Sequence, residues 1–188
     1  MASFSIWAAG LIRASAYALS LLFALPALAQ TAPTISMVQG EAVTFTIGAD
    51  GTVEVSSERG RADWRPYEVA TARQLSGMPI PDAPVPFGQP LQARGDTPPP
   101  PPIDPGRVRV KFLSIAGQHS LLVFENGYGR AIAYRARMAR GNNVRSTDVC
   151  IITPHRFAFE HWPHQIDRLE LYDFHFVDWA EGDPIPCA

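Results

Sequence analysis

The 188-residue sequence lacks the short motifs that commonly identify an enzyme. It has no Gly-x-Ser-x-Gly nucleophile elbow, no glycine-rich phosphate loop, and no acid and base paired at a motif spacing. Ser120 directly follows His119, but adjacent residues on a strand point to opposite faces, so the two cannot act together as nucleophile and base. These absences argue against a serine hydrolase. They predict a protein that is not an enzyme and needs no cofactor.

Lysine is nearly absent: 15 of the 16 basic residues are arginine, and Lys111 is the single lysine. This usage is typical of GC-rich bacterial genomes. The 18 acidic residues slightly outnumber the basic ones, so the formal net charge is −2. Such a balance does not favour nucleic acid as a partner.

No apolar run is long enough to span a membrane. Residues 14–25 form an apolar stretch of about a dozen residues, short of the roughly 20 that cross a bilayer. Arg13 precedes it, and Ala27-Leu28-Ala29 follows with the small-x-small pattern of signal peptidase. The pattern predicts a cleaved signal peptide over residues 1–29, with an uncleaved membrane anchor as the alternative. The product would be a protein secreted into a bacterial periplasm. Its residues 30–188 would form one β-rich domain, and it would contact the membrane only through the signal peptide before cleavage.

Cysteine occurs only twice, at Cys150 and Cys187. In an oxidising compartment two cysteines predict one disulfide rather than two free thiols. The loop closed by this bond has about 36 residues, for which the chain-entropy model gives about 3 to 4 kcal/mol of stabilisation.

The segment from Arg107 to Met138 has the clearest strand pattern. Apolar and basic residues alternate at its start, which predicts an apolar face on the core and a basic face in water. The alternating residues are Val108, Val110 and Phe112 against Arg107, Arg109 and Lys111. Ser120 to Phe124 is almost continuously apolar, as in a strand covered on both faces. Asn126-Gly127 then predicts a type I′ turn, and thus a hairpin that places Glu125 opposite Tyr128.

Other segments predict further local structure. Residues 42–56 predict a hairpin with the three-residue loop 49–51, because this loop aligns the apolar residues of both strands and needs only Gly51 in the left-handed region. Residues 67–75 fit either a short helix or an edge strand. The apolar phase changes along the last strand, which predicts a bulge or bend near Tyr172-Asp173.

Proline makes up eleven of the thirty residues from Gly77 to Gly106. Proline lacks an amide hydrogen and fixes φ, so this segment is predicted to be a linker or long loop without helix or paired strand. Several short strands, few helices and turns rich in Gly and Pro predict an all-β fold. We expect an antiparallel β-sandwich, with a small β-barrel as the alternative.

Three histidines, His155, His161 and His164, fall within one predicted loop, next to Glu160 and Asp167. Imidazole and carboxylate groups are ligands of zinc and copper, so this His-rich loop, 155–164, is the candidate metal site. In the alternative interpretation the aromatic residues of this loop close the end of the sandwich, and the histidines lie at its solvent-exposed edge. Those aromatic residues are Phe157, Phe159 and Trp162.

Arg135, Arg137 and Arg140 form a basic stripe along one predicted strand and its end. Guanidinium groups can hold phosphate or carboxylate groups through two hydrogen bonds, so the stripe is the candidate anion-binding site. The alternative is an ordinary solvated face. The sequence therefore favours a secreted, non-enzymatic binding or envelope-interaction module that recognises an envelope protein or an anionic ligand. A metal-binding protein that uses the His-rich loop is the second hypothesis.

Overall fold

The structure, a computed structural model, describes residues 34–77 and 97–187. The predicted signal peptide and most of the proline-rich segment lie outside these residues. The described part of the chain contains nine strands and one helix: β1 (Ile35–Val38), β2 (Glu41–Ile47), β3 (Val53–Arg61), α1 (Pro66–Ser76), β4 (Val108–Ile115), β5 (His119–Asn126), β6 (Ala131–Arg140), β7 (Asn143–Thr147), β8 (Phe157–Trp162) and β9 (Arg168–Val177). None of its helices is long and apolar enough to cross a membrane.

The strands form two antiparallel sheets. The four-stranded sheet has the order β1-β9-β6-β7 and the five-stranded sheet the order β3-β2-β4-β5-β8. In the described residues neither sheet closes on itself. The predicted β-sandwich is therefore confirmed, and the small-barrel alternative is wrong.

The main core lies between the sheets, where alternate residues of both sheets point inward. The rings of Phe45 and Phe174 meet with centroids 5.0 Å apart, and those of Phe124 and Tyr134 are 4.7 Å apart. Each ring pair joins one strand of each sheet. Burial of a large apolar side chain stabilises the fold by about 1.5 to 3 kcal/mol, so this layer provides most of the cohesion between the sheets.

Helix α1 covers the outer face of the five-stranded sheet. Its Val69 and Ala72 pack in a second apolar cluster with Leu121 and Val123 of β5. The helix begins at Pro66, where Glu68 accepts a hydrogen bond from the Arg65 amide, and Gly77, in the left-handed conformation, caps its C-terminal end. The sequence left helix and edge strand open for this segment, and the structure has a helix. Because α1 covers β5, this strand is buried on both faces, as its continuous apolar run predicts.

The basic face of β4 differs from its prediction. Lys111 is buried rather than in water, since α1 lies over it and supplies Glu68 as its partner. The alternation of apolar and basic residues correctly identified the strand. It could not reveal that a helix from elsewhere in the chain would cover the basic side.

The hairpin predicted at Asn126-Gly127 is wrong. Strand β5 pairs with β4 and β8, whereas β6 pairs with β7 and β9, so the chain crosses here from one sheet to the other. The Asn126 side chain organises the crossing: its Nδ2 donates to the carbonyl oxygens of Arg130, Ile152 and Thr153 at 2.9, 3.2 and 3.0 Å. Gly127 does not have the positive φ of a type I′ turn. Instead, a Cβ at this position would collide with the carbonyl oxygen of Asp104.

Two other local predictions are confirmed. In the first hairpin Ile47 lies opposite Val53, and Gly51 has φ 83°, as the three-residue loop requires. The pairing of β6 with β9 shifts between Ala133 and Arg135, opposite Asp173 with φ 58°, which is the predicted bulge. Residues 97–106 of the proline-rich segment contain no helix or strand, and residues 78–96 lie outside the described part.

Candidate functional site

A groove of about 470 Å³ lies between strands β6 and β9 and the C-terminal segment. This volume falls within the range of about 300 to 1,000 Å³ that is common for small-molecule sites. The residues that line it come from β6, from β9 and the turn after it, from the segment before β8, and from the C-terminal tail. They are Ala133, Tyr134, Arg135, Asp173, His175, Val177, Asp178, Trp179, Val149, Ile151, Asp183, Pro184, Pro186 and Cys187.

The C-terminal tail is fixed beside the sheet by covalent and hydrogen bonds. Cys150 and Cys187 form the predicted disulfide, which is confirmed. The same two residues form an isolated β-bridge, and the Ile151 amide donates to the carbonyl oxygen of Pro186 at 3.1 Å. The tail is otherwise largely exposed. These bonds therefore determine the width of the groove.

The bulge in β9 shapes the groove on the sheet side. Asp173, the left-handed residue of the bulge, forms an ion pair with Arg135 at 3.2 Å. Beyond the bulge the small Ala133 lies opposite His175, which leaves space above the sheet. Bulges are common beside functional sites because the extra residue redirects a side chain. Here the redirected side chain is a carboxylate at the groove.

The charge on the groove wall is negative overall. Arg135 is the one basic residue of the wall, against the three aspartates Asp173, Asp178 and Asp183, so with neutral His175 the formal charge is −2. Arg130, outside the wall, approaches Asp178 at 3.7 Å. The half-buried indole of Trp179 is oriented by a hydrogen bond from its Nε1 to the carbonyl oxygen of Pro184 at 3.3 Å. An indole near carboxylates is an arrangement that attracts organic cations.

Tyr134 is the most buried aromatic side chain of the wall, with an exposed fraction of 5%. Burial raises its pKa well above the usual value, and the charge of Glu160 adds to the effect, so the phenol is neutral. Its hydroxyl has no hydrogen-bond partner among the described residues. The pKa of Glu160 is itself raised by burial, although the Cys150 amide donates to this carboxylate at 2.9 Å.

The three histidines of the predicted metal site occupy different elements. His161 lies on β8, His155 in the turn before that strand, and His164 after it. His161 Nε2 is 3.0 Å from Nδ1 of His119 on β5, because β5 and β8 are neighbours. No group of three or more His, Cys, Asp or Glu side chains in the described residues is placed to hold a metal ion. The metal hypothesis stays a prediction.

The sequence could not identify His119 as the neighbour of His161. The two residues are far apart in the chain, and only the pairing of β5 with β8 brings them together. Burial lowers the pKa of His161, and the adjacent His119 lowers it further. Both effects disfavour a positive charge on His161.

The arginine stripe is accompanied by acidic residues. Arg137 pairs with Glu170 at 3.2 Å and lies over the ring of Tyr172, while Arg135 pairs with Asp173. Arg140, at the exposed end of β6, makes no ion pair in the part of the chain that the structure describes. These carboxylates weaken the positive field of the stripe. An anionic partner stays a prediction, and the groove is the better formed site.

Comparisons of the chain with protein-family models, curated proteins and solved structures found no match. Function therefore has to be inferred from the geometry of the described residues.

Proposed function

We propose that the protein is a secreted, non-enzymatic binding module of the bacterial envelope, and that its groove takes a ligand with an apolar body and a positive charge. The observation that carries this proposal is the groove itself. It combines a suitable volume, a wall with apolar and acidic parts, and a tail held in place by a disulfide.

The apolar part of the wall would contact the body of the ligand. Val149, Ile151 and Val177 lie on the sheet side, and Pro184 and Pro186 on the tail side. Removing apolar surface from water stabilises a complex by about 25 cal/mol per Å². Contacts on two opposite sides favour a flat or aromatic body over a thin chain.

The acidic part would contact the charge. Asp178 and Asp183 add negative potential next to Trp179, whose ring face attracts a cation by about 0.5 to 2 kcal/mol. A free organic cation and the side chain of an envelope protein share this chemistry.

The proposed location depends on the predicted signal peptide. One disulfide in the described structure agrees with an oxidising compartment. Fractionation of the bacterial host tests this part, with the processed protein expected in the periplasm. Recovery of the unprocessed chain with the membranes would support the anchor alternative instead.

The experiment for the groove is an NMR titration of the purified protein with three matched aromatic compounds. They are benzyltrimethylammonium, which is cationic, benzyl alcohol, which is neutral, and benzoate, which is anionic. We expect the cation to bind most tightly and to shift amide signals that cluster at the groove. Trp179→Ala and Asp178→Asn should each weaken its binding about three- to tenfold.

Glu54→Gln is the control variant, because Glu54 is an exposed carboxylate on β3 in the other sheet. It should leave the affinity for the cation unchanged. Equal affinity for all three compounds would overturn the charge preference. If no amide signal of the groove residues shifted, the groove would not be the binding site.

A metal-binding function is the second candidate, because the His119 and His161 rings present two nitrogen atoms 3.0 Å apart. Elemental analysis of the purified protein tests it. Near-stoichiometric zinc or copper that is lost on replacing His161 and His164 by Ala would favour the metal function over the binding module.

A further inference from the structure

A second, smaller cavity lies on the five-stranded sheet, apart from the groove. It has a volume of about 90 Å³ and lies beside β4 and β5, close to the start of α1 and the end of the proline-rich segment. Its polar side chains are those of Thr44, Arg65, Asp104, Arg107, Arg109 and Glu125. A single water needs about 10 to 15 Å³ of such space, so the cavity has room for a small polyatomic ion.

Glu125 is nearly completely buried, with an exposed fraction of 4%. Its Oε2 accepts a hydrogen bond from Arg65 Nη1 at 3.1 Å. Its Oε1 has no hydrogen-bond donor among the described residues, and the Nε of Arg109 likewise has no acceptor. These two atoms are 4.0 Å apart, which is too far for a hydrogen bond between them.

The two unpaired atoms determine which hydrogen-bonding groups an occupant of the cavity needs. Leaving a buried polar atom without a partner costs about 1 to 3 kcal/mol, and more for a charged group. An occupant that donates to Glu125 Oε1 and accepts from Arg109 Nε removes both costs. The three arginines exceed the two carboxylates by one charge, which favours an anion.

We propose that this cavity binds inorganic phosphate as monohydrogen phosphate. This ion keeps one proton at neutral pH, which it can donate to Glu125, while its other oxygen atoms accept from Arg65, Arg107 and Arg109. Sulfate has the same shape but no proton to donate. The buried carboxylate therefore repels sulfate and discriminates between the two ions.

The test compares phosphate with sulfate by calorimetry and NMR on the purified protein, at pH 7.5 and constant ionic strength. We expect saturable binding of phosphate, with shifts confined to residues around the cavity, and at least tenfold weaker binding of sulfate. Glycerol phosphate is the third ligand, because most of it carries no proton at this pH. It should bind more weakly than inorganic phosphate, and equal or tighter binding would overturn the assignment to the free ion.

Arg107 is exposed and makes no ion pair among the described residues, so Arg107→Gln should weaken phosphate binding about tenfold without unfolding the protein. Arg61→Gln is the matched control, because Arg61 is an exposed arginine on β3 that does not line the cavity. Glu125→Gln replaces a carboxylate oxygen by an amide donor and should raise the affinity for sulfate. If this variant is unstable, the Arg107 and Arg61 pair still tests the site.

Equal binding of phosphate and sulfate by the unmodified protein would overturn the proposal, since the carboxylate would then not discriminate. So would an affinity for phosphate that Arg107→Gln leaves unchanged. A lack of saturable binding up to about 1 mM phosphate would also overturn the proposal.

Discussion

Lys111 Nζ lies 2.6 Å from Glu68 Oε1, with 1% and 0% of the two side chains exposed. The ammonium group also donates to the carbonyl oxygen of Asp63 at 3.1 Å. Burial lowers the pKa of Lys111, and the hydrogen bond and charge of Glu68 oppose this shift. The ion pair joins helix α1 to strand β4. It therefore fixes the position of the helix on the sheet.

We expect Lys111→Met and Glu68→Leu to lower the free energy of unfolding by about 3 to 5 kcal/mol each, because each leaves a buried charge without its partner. The double variant should recover most of this loss, since no charge stays buried. Urea unfolding of the four proteins measures the coupling. Additive losses in the double variant would contradict a direct interaction between the two groups.

Gly127→Ala should lower the free energy of unfolding by about 2 to 3 kcal/mol, because the added methyl group would overlap the Asp104 carbonyl at the crossing between the sheets. Gly60→Ala is the control, since a methyl group at that position on β3 meets no atom within 4 Å. Urea unfolding compares the two variants. Equal stabilities would show that the crossing has room to adjust.

Replacing both Cys150 and Cys187 by Ala should lower the free energy of unfolding by about 3 to 4 kcal/mol, since their bond closes a loop between residues 37 positions apart. It should also weaken the binding of benzyltrimethylammonium, because the tail would no longer be held beside the sheet. Urea unfolding and NMR titration measure the two effects. Peptide mapping without reductant should recover the linked peptides, and full alkylation of both thiols would contradict the bond.

The stability of the protein should fall on acidification through pH 6.5. Burial lowers the pKa values of His161 and His164 in the folded state below their usual 6.5. As the pH falls below 6.5 the unfolded chain therefore binds more protons than the folded one, and the free energy of unfolding decreases until the lowered pKa values are reached. The raised pKa of Glu160 acts in the opposite direction near its own titration.

His161→Gln isolates the contribution of this histidine. Its loss of stability between pH 7.5 and 5.5, measured by urea unfolding, should be smaller than that of the unmodified protein. His175→Gln is the control, because His175 is exposed on β9. If His161→Gln and the unmodified protein showed the same pH dependence of stability, His161 would not contribute to it.

Features set by neighbouring residues were predictable from the sequence. The loop at Gly51 and the bulge at Asp173 follow from the apolar phase of the strands around them, since a strand shows its two faces in alternate residues. The disulfide followed from the count of cysteines. Arg135 and Cys187, which line the groove, were singled out for an anion site and a disulfide, and the sequence did not predict the groove itself.

Features set by distant segments were not predictable. Asn126-Gly127 has the composition of a tight turn, but contacts with Asp104, Ile152 and Thr153 determine its conformation. Lys111 has the pattern of an exposed residue until α1 covers it. His119 and His161 meet only through the order of strands in the sheet. A local pattern shows which residues need a partner, but it does not show which distant segment supplies one.

The pairing of β1 with β9 places Ile35 opposite Leu171, so the first and last strands of the described fold are neighbours. Strand β9 lies between β1 and β6 in the four-stranded sheet and pairs with both. This sheet cannot be completed before β9 has been synthesised, because β9 pairs with both β1 and β6. Contacts across such long sequence separations slow folding, since the entropy of the intervening chain is lost before the contacts form. We therefore expect slow refolding, in which β2 to β5, four strands of the five-stranded sheet, can assemble first.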